Sequence, residues 1–150
     1  MSRVYNDKRG YLESRLRFQS LSKDANAIIR EFGLSLNFKG FVETLTDYMK
    51  ADDMTPTTDI EILVNDLNCW IDYLGEIRVI VFYFRNKFEI KYDSETDEQR
   101  KNIYKNKYFI LKKYEKELQK QETMFNRAYR DLLYQYSERI KKYMRVTDVK

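Results

Sequence analysis

The chain has no histidine, one cysteine, one proline and four glycines among its 150 residues. Without histidine the commonest general base is missing, and Ser-His-Asp or Cys-His catalysis is excluded. One cysteine and no histidine also exclude structural zinc held by four cysteines or by a cysteine–histidine mixture. Cys69 has no internal disulfide partner, which fits a reducing, cytoplasmic compartment, or a virion if the chain is viral. Lying in an apolar run beside Trp70, it reads as a buried structural thiol, and Trp70 as a core or interface residue. The glycines at 10, 33, 40 and 75 are too scattered for a phosphate-binding loop. The longest apolar stretch, Val79 to Phe84, is too short to cross a bilayer, and no signal peptide is expected from the polar first residues. Carboxylate-only magnesium sites are conceivable at Asp52-Asp53, Asp59-x-Glu61 and Asp93-x-Glu95-x-Asp97. The last lacks the glycine and distal glutamate of a calcium loop and reads as helix capping. No catalytic, cofactor-binding or metal-binding residue is assigned, and a non-enzymatic protein is expected.

Scarce glycine and proline also speak about shape, since average usage gives roughly ten and seven in this length. Few turn residues argue for long helices and few loops, whereas thirteen tyrosines and nine phenylalanines favour strands. Hydrophobic period decides between them. Residues 1–57 read as a small helical N-terminal part. Leu12, Leu16, Leu21, Ala25, Ile28 and Phe32 recur at helical spacing, with Ser22 as a second start signal and Gly33 as a terminator. A short extended link follows, then a helix over Phe41 to Met49 and a linker at 54–57. Residues 58–150 read as a long helical hairpin, opened by a capping box at Thr58-Asp59-Ile60-Glu61. Ile60, Val64, Leu67, Ile71, Leu74, Ile77, Val81, Phe84 and Phe88 keep one helix face across Gly75. A β-hairpin at 76–92 is the alternative, because Ile77 to Phe84 is strongly β-prone; the turn lacks the Asn-Gly or Asp-Gly that hairpins prefer. From about 98 to 144 neither glycine nor proline interrupts an apolar face, so a helix of roughly 65–70 Å is expected. The fold class is therefore mostly α: an antiparallel helical hairpin with one very long C-terminal helix, coiled-coil-like but without a strict heptad seam.

Charge is unevenly spread. Residues 1–57, 58–95 and 96–150 carry +1, −4 and +7, within a total of +4. On the last helix Lys101, Lys105, Lys112, Lys116, Lys120, Arg127, Arg130, Lys141 and Arg145 share one face, with Phe109 and Tyr134 among them and Asp131 and Glu138 at the edge. Cations for phosphate and aromatics for bases are the ingredients of a nucleic-acid surface. The competing readings are a solvated face, one balanced by the acidic helix alongside, or a site for an acidic protein partner. On the opposite face Phe125, Tyr129, Tyr136, Ile140 and Tyr143 are expected to contact a protein partner or a second copy, since tyrosine tolerates partial wetting. The leading expectation is thus a helical interaction protein, a structural component or adaptor of a larger assembly, with a viral particle among the assemblies its composition fits. The alternatives are a nucleic-acid-binding accessory protein using Lys105, Phe109, Lys112, Lys116, Lys120, Arg127, Arg130 and Tyr134, and a small protein inhibitor. No membrane partner or small-molecule substrate is expected.

Overall fold

Four helices carry the chain: α1 (Arg3–Ile29), α2 (Phe41–Lys50), α3 (Thr57–Ser94) and α4 (Glu98–Asp148), with a 3-10 turn over Arg30–Phe32 closing α1. The computed structural model describes residues 3–148, with side chains from 14 to 144; the side chains of Leu12 and Arg145 fall outside that range. Among the described residues there is no strand.

The hairpin of long helices is present, and α3 runs unbroken through Gly75 and the β-prone segment. Packing explains why helix wins. Ile77, Val81, Phe84 and Phe88 are buried on one face of α3, whereas Val79 and Tyr83 are exposed. Strand alternation places 77, 79, 81 and 83 on one side, and no such side exists here. The α3 start differs from expectation. Pro56 occupies the cap position and no side chain caps the helix, so Thr58 already lies inside it and the capping box is not formed. Ser22 likewise starts nothing: α1 is continuous, and the Ser22 hydroxyl pairs with the Tyr114 hydroxyl at 2.8 Å. Cys69 is exposed, not buried, because the face that carries Ile60, Leu67 and Leu74 inward turns position 69 outward.

Two glycines shape the route from α1 to α2. Gly33 and Gly40 have φ of 79° and 87°, a backbone region that side chains with a Cβ rarely adopt. Between them, the Asn26 side-chain oxygen accepts the Leu36 amide and the Tyr73 hydroxyl oxygen accepts the Asn37 amide. At the tip between α3 and α4, the Glu95 carboxylate accepts the amides of Thr96 and Asp97, and the Asp97 carboxylate accepts that of Gln99. The acidic break does cap a helix, as its sequence suggested.

Helices α3 and α4 pack antiparallel, with Arg78 opposite Glu122 and Arg85 opposite Glu115. Helix α1 lies antiparallel to α4, and the contacts Ser14–Met124, Arg17–Glu117 and Lys107–Glu31 mark its path. Helix α2 fills the space between these layers. Phe41 stacks on Phe18 of α1 and on Phe125 of α4, both at 4.9 Å between ring centres. Rings at such distances add about 0.5–1.5 kcal/mol per pair beyond the area they bury. One core runs from Phe18 to Leu132 and draws on all four helices.

Candidate interaction surfaces

The tyrosine-bearing face of α4 is largely used by the fold itself. Phe125 is 1% exposed and sealed against Phe41, so its partner is the chain's own α2. Tyr129 and Tyr136 are half-buried against the core, and Ile140 is also half-buried. Tyr143, near the end of α4, is 72% exposed. Helix α2 covers this face at Phe125, and the 51–56 connection lies against it near Arg139. Arg139 fixes that connection. Its guanidinium donates to the carbonyl oxygens of Asp52, Asp53 and Thr55 and to the Thr57 hydroxyl.

The opposite face is open. Lys105, Phe109, Lys112, Lys116, Lys120, Arg127, Arg130 and Tyr134 are all exposed, as is Lys113, which the sequence reading left out. Phe109 and Tyr134 are 51% and 68% exposed, unusual for large aromatic rings. Each stands near cations one helical turn away, Phe109 between Lys105 and Lys112 and Tyr134 above Arg130. From Lys105 to Arg130 the row is about 38 Å long at 1.5 Å per residue.

The carboxylates of α4 are what distinguish this row from an ordinary solvated lysine face. Glu115, Glu117, Glu122 and Asp131 are the only acids between Glu98 and Glu138, and every one of them points inward. Glu115 accepts from Arg85 at 2.5 Å and Glu122 from Arg78 at 2.8 Å, both cations being on α3. Glu117, 3% exposed, accepts from Arg17 of α1 at 2.9 Å and from Gln121 at 3.2 Å. Asp131 accepts from the Tyr48 hydroxyl of α2 and from Gln135. Among the described residues, none of Lys105, Lys112, Lys113, Lys116, Lys120, Arg127 and Arg130 has a carboxylate within ion-pair distance. Lys112 has an aromatic neighbour instead, lying 5.7 Å from the centre of the Tyr108 ring.

This pairing runs opposite to the balance suggested by net charges. The acidic helix α3 contributes arginines to the contact with α4, and the basic helix α4 contributes glutamates. Burial works against the charge on Arg85, but Glu115 and Tyr108 together outweigh it and raise the guanidinium pKa. The consequence appears on the outside. Asp59, Glu61, Asp66, Asp72 and Glu76 on α3 are exposed, and among the described residues none is in an ion pair. Segment sums could not reveal this sorting, but spacing could. Arg78 and Arg85 are seven residues apart, as are Glu115 and Glu122, which matches an antiparallel pair of helices.

One concavity has polar groups that the fold itself engages. A cleft of about 320 Å³ between α1 and α2 is lined by Phe18, Ser22, Asn26, Leu36 and Phe38. Its Ser22 and Asn26 side chains are bonded to Tyr114 and the Leu36 amide, so they hold the fold. Among the described residues, no three Asp, Glu or Cys side chains gather as metal ligands would, and no helix is long and apolar enough to cross a membrane. No known protein family, curated protein or solved structure matches the chain.

Proposed function

We propose that the protein is a non-enzymatic binding protein whose working surface is the outer face of α4 and whose ligand is nucleic acid, held by its phosphates. One observation carries the reading. Every acid in the middle of α4 is turned inward and bonded, so among the described residues the row of seven cations has no carboxylate within ion-pair distance. Such a cationic row attracts a polyanion and releases the counterions condensed on it, the main source of affinity in nucleic-acid binding. Phe109 and Tyr134 supply flat, exposed rings on the same face, and ring stacking favours single strands, whose bases are free to turn out.

The assembly reading loses ground for a physical reason. Its contact residues Phe125, Tyr129 and Tyr136 are largely occupied by the chain's own helices, and Tyr143 alone offers a small area.

The test is fluorescence anisotropy of labelled single- and double-stranded oligonucleotides at two salt concentrations. Single strands are expected to bind more tightly, with the logarithm of affinity falling linearly in the logarithm of salt. Six phosphate contacts give a slope of about −4 on a single strand, and Lys112→Glu with Lys116→Glu shrinks it by about 1.4. No binding at low salt, or unchanged affinity in a double variant whose helicity is intact, removes this reading.

A further inference from the structure

We infer that the outer face of α4 also receives a second copy of this chain, which presents the acidic surface formed by α2 and the first half of α3. Residues 43–76 contain nine acids and a single cation, Lys50. All nine are exposed, and none is in an ion pair among the described residues. Asp47, Asp59 and Asp66 line a cleft of about 330 Å³ between α2 and α3, with Lys50, Leu63 and the exposed Ile62 beside them.

The two charged surfaces belong to one chain, yet among the described residues no ion pair joins them. Helices α3 and α4 pair instead through Arg78–Glu122 and Arg85–Glu115. Lys50 alone cannot balance nine acids, and Arg139, which lies against the 51–56 connection, is committed to backbone carbonyls. A neighbouring copy therefore supplies the complementary charge at matched concentration. Spacing agrees as well. Asp59 and Asp66 are two helical turns apart, as are Lys105 and Lys112, or Lys113 and Lys120. At about 10.5 Å per seven residues, one helix laid along another brings both acids to cations together. Because the two surfaces differ, the contact is head to tail and builds open chains unless its rotation closes a ring. It shares a face with the proposed nucleic-acid site but does not rest on that reading. Phosphates and the acidic surface compete for the same cations.

Sedimentation velocity decides the matter on the full chain. At low salt the mean mass is expected to rise with concentration, and at about 0.5 M salt the protein is monomeric, since screening removes contacts between exposed charges. Asp59→Lys with Asp66→Lys, and Lys112→Glu with Lys116→Glu, each weaken association by about tenfold or more through like-charge contact. An equimolar mixture of the two variants associates again, because each carries the charges that the other now requires. A monomer at every concentration in low salt, or a mixture that fails to associate, overturns the inference. A monomeric protein that still binds oligonucleotide loses only this inference, and an associating protein that binds none loses only the proposed function.

Discussion

Helices α3 and α4 are neighbours along most of their length, yet they distribute charge in opposite ways. In α3 the cations Arg78 and Arg85 point into the contact and the acids of its first half point out. Between residues 105 and 131 of α4 the acids point into the contacts, and the cations other than Lys107 point out. Each helix gives its minority charge to the interior and keeps its majority charge for the surface. A formal charge of +4 therefore understates both outer faces. Pairing between helices here sharpens the separation of charge, whereas pairing in the other sense would have cancelled it. What a partner meets is the charge left after internal pairing, and segment sums do not report that.

The largest break in this comparison is expected from Arg85→Met. Arg85 and Glu115 are both mostly buried, and removing the cation strands a carboxylate that water reaches poorly. Loss of one member of such a pair costs about 3 kcal/mol. Glu115→Gln is expected to cost less than half as much. Arg85 then keeps Glu89, 3.9 Å away on its own helix, and the Phe82 ring, with its guanidinium carbon 4.8 Å from the ring centre. Urea denaturation of the two variants checks the asymmetry. Equal losses would mean that the inward charge of α3 is not what holds the α4 carboxylate.

A smaller effect separates the α1 contact from the α3 contact. Where α3 meets α4 through charged pairs, α1 also uses a buried phenol, Tyr114, bonded to Ser22. Burial pushes the Tyr114 hydroxyl pKa well above its ordinary value near 10, and the Ser22 bond offsets only part of that rise. A raised folded pKa contributes stability below the unfolded value and loses it as pH climbs beyond. Stability is thus expected to decline above about pH 10, and Tyr114→Phe to blunt that decline. At neutral pH the variant costs about 1 kcal/mol for the lost hydrogen bond. Denaturation midpoints of both proteins at neutral pH and above pH 10 measure the difference. Parallel decline in the two would assign the alkaline sensitivity to other groups.

How far the sequence revealed all this follows from what each feature depends on. The hairpin was legible because one apolar face persists from Ile60 to Phe88 and another from Tyr104 to Tyr136, and such periods are local. The cationic row was legible for the same reason. The capping box at Thr58 was misread because Pro56 takes the cap position, two residues earlier than the threonine pattern implies. Cys69 looked buried beside Trp70, but adjacent helical residues point about 100° apart and only Trp70 turns toward α2, where its ring nitrogen donates to Thr44. The fate of Phe125 and Tyr136 was not legible at all. Whether an aromatic face is covered depends on where α2 and the 51–56 connection fall, and that is decided by contacts distant in sequence.

Gly75 tests the most ambiguous stretch with the smallest change. It lies in mid-helix with no positive φ, so nothing in its backbone calls for glycine. A Cβ placed there meets only a Glu122 oxygen at 4.0 Å, an ordinary contact. Alanine in an open helical position is favoured over glycine by about 0.8–1.0 kcal/mol. Gly75→Ala is therefore expected to raise stability by nearly that amount, and to slow amide exchange in the β-prone segment that follows. Stabilisation also leaves both outer faces untouched, so oligonucleotide affinity and self-association should not move. If the substitution destabilises the protein, then the contact between Gly75 and Glu122 is tighter than an open helical position. The glutamate would then be held by Arg78 too firmly to make room, which ties even this backbone effect to the inward pairing of charge.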